Sequence, residues 1–218
     1  MLTASMEETA KKRHRPYFAL KRVLDIFFSL LFILVLSPIL LIVLILNAFA
    51  SKGHPLFVQL RSGKNDKPFK IVKFRTMKME VPSYVTSEEL GTDNELYFRF
   101  GFFLKRTHLD ELPQLFNIFA GQMSFVGPRP GLTTQTDLIE YRKANGSIAL
   151  TPGLTGLAQV SVGNDGPLTQ LAKSELDKVY LDRISLWFDI KIFFKTFGKV
   201  FGNMKARKKK GKNSSKSL

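Results

Sequence analysis

The chain has 218 residues, enough for one domain of ordinary size with appendages, and its 44% hydrophobic content is ample for a core. Thirty-three Lys and Arg against eighteen Asp and Glu leave a net charge of +15, which points to anionic partners: nucleic acid, acidic lipid or phosphorylated small molecules. The absence of cysteine excludes a disulfide framework, thiol chemistry and a Cys-based zinc site, and three dispersed histidines, His14, His54 and His108, argue against a histidine metal cluster.

Residues 1–20 are polar and basic, with Lys11, Lys12, Arg13 and Arg15 close together, and read as a flexible arm. Residues 26–46 are almost wholly apolar. A straight helix of that length, at about 1.5 Å per residue, crosses a hydrocarbon core of about 30 Å. The run starts too late and is too long for a cleaved signal peptide. Ser37 and Pro38 stand near its middle, where proline removes a backbone donor and a serine hydroxyl can take up the freed carbonyl. Basic residues flank both ends, Lys21 and Arg22 before, Lys52, Arg61 and Lys64 after, so the positive-inside rule gives no orientation. A kink is expected at Pro38, and a re-entrant membrane helix over residues 21–50, entering one leaflet and returning, is expected ahead of a kinked spanning helix. Asp25, just inside the boundary, is expected to pair with Lys21 or Arg22.

Residues 55–63 and 68–77 both alternate in polarity and predict a hairpin with its turn at 63–67. Lys73 and Arg75 are two apart and project from one side of a strand. Either an anion sits between them, or they protect a solvated edge strand. Residues 80–94 read as a polar surface loop. Lys105 and Arg106 precede an acid pair, Asp110 and Glu111, at the mouth of a run whose Leu112, Leu115, Phe116 and Phe119 recur at helical spacing. Acids at a helix start compensate the helix dipole. An acid pair among cations is equally what a magnesium and phosphate site needs, and spacing does not decide. Helices are predicted over 133–145 and 168–181, the latter carrying Asp177, and a glycine turn followed by a short strand over 151–160. Over 185–201 a broad aromatic and aliphatic side faces Lys191, Lys195 and Lys199, the pattern of an interfacial amphipathic helix, with burial in a core as the other reading. Residues 203–218 hold seven Lys or Arg and no acid, a disordered basic tail suited to an anionic membrane lipid.

The ordered set Lys21-Arg22 with Asp25, Ser37-Pro38, Gln59-Leu-Arg-Ser-Gly63, Lys73-Phe-Arg-Thr-Met77, Asp110-Glu-Leu-Pro-Gln-Leu-Phe-Asn117, Gly121-Gln-Met-Ser-Phe-Val-Gly-Pro-Arg-Pro130 and Pro152-Gly-Leu-Thr-Gly156 with Ala158-Gln-Val160 resembles the bacterial sugar transferases. These are monotopic polyprenyl-phosphate phosphoglycosyl transferases, and the likeness runs over residues 20 to 201. It implies an α/β fold dominated by helices, with an N-terminal re-entrant membrane helix, a small antiparallel sheet or hairpin and amphipathic interfacial helices. Residues 51–202 would be the catalytic domain, on the cytoplasmic face of the bacterial inner membrane.

The resemblance implies transfer of a sugar 1-phosphate from a UDP-sugar to undecaprenyl phosphate with release of UMP. Asp110 would be the nucleophile that carries the phosphosugar, and Glu111 the ligand of Mg²⁺. Lys73 and Arg129 would lie at the phosphate or nucleotide site, with Arg75, Lys105, Arg106 and Asp177 as further candidates there, and Pro128 and Pro130 would fix the backbone around Arg129. Two departures stand out. Lys105 replaces an arginine common in the family, and Gly156-Leu-Ala-Gln-Val-Ser-Val-Gly-Asn164 lacks a usual tryptophan and places Gly163 where arginine is common. A homodimer is left open. The competing reading is a non-catalytic membrane-anchored basic scaffold on anionic lipid. RNA binding has no recognised motif behind it, so no nucleic-acid partner is expected.

Overall fold

The computed structural model describes residues 15–52, 54–81, 94–162 and 168–199. The arm before residue 15, most of the predicted surface loop, Gly163 and the basic tail lie outside the described residues.

The first helix, α1 (Arg15–Ala50), is the one described helix long and apolar enough to cross a membrane. It begins inside the stretch read as a flexible arm, because Tyr17 is anchored: its hydroxyl donates to Asp189 Oδ2 at 2.7 Å. The helix continues through Pro38. Proline has no N–H to give the carbonyl of Leu34, and Ser37 Oγ donates to that carbonyl instead, at 2.8 Å. One stripe of α1 rests on the rest of the chain along its length. Asp25, Ser29, Val43 and Asn47 are buried, and Phe32, Ile33, Leu36, Leu40 and Leu44 pack between them at helical spacing. The opposite side, with Phe27, Leu34, Val35, Ile42 and Phe49, is exposed and apolar.

The predicted hairpin is present: β1 (Leu56–Ser62) pairs antiparallel with β2 (Pro68–Phe74), from Leu56 opposite Phe74 to Ser62 opposite Pro68. Asn47 ties it to α1, its Nδ2 donating to the carbonyls of Pro55 at 2.7 Å and Arg75 at 3.0 Å. Helix α2 (Arg99–Thr107) ends at His108, whose left-handed backbone (φ 59°) breaks the helix. A 3₁₀ turn, Leu109–Glu111, follows, and then the short α3 (Gln114–Phe119).

A second sheet was not expected. β3 (Ser124–Val126) pairs with β4 (Gly153–Thr155), and the pairing is parallel. The backbones meet so closely that a Cβ on Gly153 would lie 2.1 Å from the nitrogen of Gly127, so neither glycine can carry a side chain. The strand therefore falls within the glycine motif. Residues beyond it, predicted as strand, form the helix α5 (Leu157–Ser161). The predicted polar helix is α4 (Thr136–Asn145), and the next is α6 (Gln170–Asp182). A final helix, α7, spans residues 186–199. Its inner side, with Asp189 and Ile192, is buried, while Trp187, Ile190, Phe194 and Phe197 are exposed. The interfacial and core readings of this helix each describe one of its sides.

Asp25 does not hydrogen-bond to Lys21 or Arg22 as expected. It accepts from Ser124 Oγ at 3.2 Å and from the Phe125 N–H at 3.1 Å, fastening α1 to β3. Lys21 pairs with Asp189 at 2.6 Å, and Arg22 donates to the carbonyls of Ile118 and Phe119 at the end of α3. The sequence placed the three side by side, whereas the fold gives each a partner about a hundred residues or more away.

Candidate active site

The acid pair lies in the 3₁₀ turn between α2 and α3, just before the helix it was read as opening. Its position is set from two sides. Upstream, His108 reverses the chain. Downstream, Asn117 of α3 pins the turn to β2: its Oδ1 accepts the Val72 N–H at 3.1 Å and its Nδ2 donates to Lys70 O at 2.8 Å. An amide side chain thus occupies the edge of β2 as a third strand would. The apolar residues after the acids do not form one face. Leu115 is buried in a core with Phe69, Ile71 and Ile118, and Leu112 packs near Phe74 and Val43. Phe116 and Phe119 are exposed.

The strand that Asn117 holds carries Lys73. Lys73 Nζ lies 3.2 Å from Glu111 Oε1, and Arg129 Nη2 lies 3.1 Å from the same oxygen. Three separate elements, β2, the 3₁₀ turn and the segment after β3, converge there. Asp110 is only 3% exposed, and its Oδ1 has no hydrogen-bond partner among the described residues. Burial, and then the charge of Glu111, push the Asp110 carboxyl above its usual range, against the pull of Lys73, Lys105 and His108. Burial opposes the charge of Glu111 too, but Lys73 and Arg129 outweigh it and hold that carboxyl well below the usual range. Burial, with Arg129 and Lys105 beside it, lowers the Lys73 ammonium in turn. Two adjacent carboxyls are thus driven in opposite directions, Asp110 toward its neutral form and Glu111 toward its charged one.

Arg129 stands between two buried prolines, Pro128 and Pro130. Its backbone is braced on both sides. Arg142 Nη2 donates to the Arg129 carbonyl at 3.0 Å, and Arg61 Nη1 donates to that of Pro130 at 3.2 Å. Arg142 is itself held by Asp177 Oδ2, through Nε at 2.8 Å and Nη2 at 2.6 Å, and both residues are buried. Asp177 therefore reaches the site through Arg142. Beyond Arg129 opens a cleft lined by Arg61, Lys73, Arg142, Lys173, Gln135 and Gln159, with no carboxylate among the described residues of its wall. Such a lining suits a polyanion.

The remaining candidates lie further out. Lys105 is half-buried and contributes to the field at both acids, whereas Arg106 is exposed. Arg75 donates from Nε to His54 O at 3.0 Å, with its guanidinium over the Phe57 ring. Reading the sequence missed as contributors Asn117, Arg142, Arg61 and Gln59, whose Oε1 accepts from Arg61 Nη2. Three of these stood inside the quoted motifs with nothing to mark their partners, and Arg142 sat in a polar helix with no signal.

Among the described residues no group of three or more His, Asp or Glu converges. The donor set is two carboxylates. That fits magnesium, which takes one or two protein carboxylates and completes its oxygen shell with water and substrate phosphate.

The bacterial sugar transferase family model matches residues 16–203. A UDP-glucose:undecaprenyl-phosphate glucose-1-phosphate transferase of Klebsiella pneumoniae is 40% identical over 195 residues, which cover 85% of this chain and 41% of that protein. An exopolysaccharide production protein, PSS, of Rhizobium leguminosarum bv. phaseoli is 39% identical over 189 residues, covering 81% of this chain and 92% of that one. A UDP-N-acetylgalactosamine-undecaprenyl-phosphate N-acetylgalactosaminephosphotransferase of Aeromonas hydrophila is 33% identical over 201 residues, 46% of its length. The chain thus spans under half the length of several curated relatives and nearly all of another.

Proposed function

The chain belongs to the bacterial sugar transferase family, and from that premise we propose that it transfers a sugar 1-phosphate from a UDP-sugar to undecaprenyl phosphate, releasing UMP. The observation that carries this reading is the convergence of Lys73 and Arg129 on one oxygen of Glu111, beside a buried Asp110 whose Oδ1 lacks a partner. The transfer proceeds by two displacements. A lone pair of the Asp110 carboxylate forms a bond to the sugar-bearing phosphorus as the bond to UMP breaks, and UMP leaves with the electron pair. An oxygen of undecaprenyl phosphate then attacks the same phosphorus and returns Asp110 to its carboxylate. Lys73 and Arg129, already side by side, neutralise the phosphoryl oxygens, and the cationic cleft takes the rest of the nucleotide. Glu111, ionised through the working pH range, would hold Mg²⁺. When bound, that ion drains charge from the phosphate and makes the phosphorus more electrophilic. The named relatives carry different sugars, glucose and N-acetylgalactosamine among them, so the family does not fix which sugar this chain takes.

Membrane attachment is by entry into one leaflet, with the catalytic part on the cytoplasmic face of the inner membrane. Entry into one leaflet, as opposed to crossing, is supported by the packing of α1. Lys21 bonds to Asp189 near one end and Asn47 to Pro55 and Arg75 near the other. These residues are 26 positions apart, roughly 39 Å at 1.5 Å per residue if straight. A helix crossing the bilayer would leave its partners, or carry their charged groups into hydrocarbon. The exposed apolar side of α1 and the aromatic side of α7 supply the lipid-facing surface, with Lys191 and Lys195 at its margin. Cysteines introduced at Ser5 and Asn65 should be labelled from the same side of the membrane, and labelling from opposite sides defeats this arrangement.

Purified protein given Mg²⁺, undecaprenyl phosphate and a panel of UDP-sugars should release UMP with at least one donor. A basic scaffold releases none.

A further inference from the structure

Two orphaned polar atoms lie close to each other in the chain, and they are of opposite kind. Asp110 Oδ1, an acceptor, and Gln114 Nε2, a donor, are both buried without a hydrogen-bond partner among the described residues. Gln114 is 1% exposed and Asp110 3%. A buried, unsatisfied amide is costly to keep, and a hydrophobic residue of like size would fill the place without that cost. The backbone between them is helical throughout: the 3₁₀ turn contains Asp110, Leu112 has φ −55° and ψ −37°, Pro113 has φ −61° and ψ −17°, and α3 begins at Gln114. Its turns are closed by bonds between residues three apart, Leu112 N–H to Leu109 O at 3.2 Å and Leu115 N–H to Leu112 O at 3.1 Å, so Asp110 and Gln114 leave one tightly wound segment about a third of a turn from sharing a face, a gap the long glutamine side chain can reach across. Glu111, one residue on, faces elsewhere and is engaged by Lys73 and Arg129.

We infer that Gln114 is a positioning residue for the nucleophile, whose amide donates to Asp110 Oδ1 once the other carboxylate oxygen has bonded to phosphorus. This rests on the two-displacement reading above. In the free site the carboxylate is shared between two oxygens. When one of them becomes the bridging oxygen of an acyl phosphate, the other becomes a carbonyl with a fixed direction. An N–H from Gln114 holds that carbonyl, keeps the phosphosugar directed into the cleft, and makes the carboxylate a better leaving group when the acceptor attacks. The proton stays on Gln114 throughout, and the bonds made and broken are those already described.

The test uses the full chain in lipid nanodiscs, a radiolabelled UDP-sugar that supports turnover, and two variants. Gln114→Met keeps the volume and removes the donor, and Gln114→Glu keeps the shape and puts an acceptor in its place. Three quantities are read: the single-turnover rate of covalent labelling without acceptor, the affinity for UMP, and the melting temperature. Gln114→Met should label roughly ten- to a hundredfold more slowly, with UMP affinity within about twofold of the unaltered protein and a melting temperature equal or higher, since an unpaired amide has been removed. Gln114→Glu should be slower still, because a third carboxylate then faces Asp110. A Gln114→Met protein that labels at the unaltered rate overturns the inference. So does one that loses stability while its kcat per folded molecule is unchanged, which marks a structural amide. If the unaltered protein turns over but never labels, the covalent reading itself has failed, a result distinct from either of these.

Discussion

Two carboxylate and arginine clusters lie on either side of the Pro-Arg-Pro segment, and they are built differently. Asp177 meets Arg142 one to one: both are buried, and two guanidinium nitrogens reach a single carboxylate oxygen. Burial pushes the Asp177 carboxyl up and Arg142 pulls against it, so the two charges answer each other while Arg142 also holds the Arg129 carbonyl. Around Asp110 and Glu111 nothing is matched one to one. Lys73 and Arg129 share one oxygen, Lys105 adds its field, and Asp110 keeps an unmet acceptor. A matched pair of charges fixes geometry, whereas a site that binds and reacts has unspent capacity. The first cluster therefore reads as scaffold for the Arg129 backbone, and the second as chemistry.

The comparison breaks most sharply at Asp110. Asp110→Asn should abolish turnover, a loss on the order of a thousandfold or more. It should also raise the melting temperature at neutral pH, because burial and Glu111 both disfavour the charge that is removed. Kinetics and calorimetry on one preparation check the opposite signs. Glu111→Gln should cost roughly a hundredfold in kcat and weaken the Mg²⁺ dependence of UMP binding, measured by titration calorimetry.

Asp177→Asn belongs to the other cluster and should behave as a stability variant. Removing one partner leaves Arg142 buried and unpaired, about 3–5 kcal/mol in denaturant unfolding, with activity falling as the Arg129 backbone loosens. Asn117→Ala leaves the Val72 N–H and Lys70 carbonyl without their side-chain partner, about 1–3 kcal/mol on the same measurement. The smallest effect concerns pH. The acid limb of kcat/KM, which reports the substrate-free protein, should lie above the ordinary aspartate range near about 4, since on this account Asp110 must be ionised to attack and its carboxyl is raised. Activity is lost as pH falls through that raised value, and removing the neighbouring charge in Glu111→Gln should move the limb to lower pH.

Much of the fold was legible in residue patterns, and the remainder shows which signals are local. The apolar run, the hairpin, α6 and α7 each repeat a period over seven or more residues, whereas α4 reads as a polar helix without one. Ser37 answering the carbonyl freed by Pro38 could be read from two adjacent letters. The parallel pair β3 and β4 could not, because three residues a strand hold no alternation and the pairing joins segments nearly thirty positions apart. At the site, the motifs named Asp110, Glu111, Lys73 and Arg129, and the fold brings Lys73 and Arg129 together at Glu111 beside Asp110. The motifs did not distinguish Arg75, turned to His54 and Phe57, from Lys73, because strand parity places both on one side. Nor did they show that Asp177 acts through Arg142, which depends on how α4 and α6 pack.

The central claim is a covalent phosphosugar on Asp110, and intact-protein mass spectrometry tests it most directly. Incubated with a turnover-competent UDP-sugar and Mg²⁺ but no acceptor, the unaltered protein should gain the mass of one sugar phosphate, mapped to Asp110, and lose it when undecaprenyl phosphate is added. Steady UMP release with acceptor but no adduct without it, or an adduct mapped to another residue, would contradict the account.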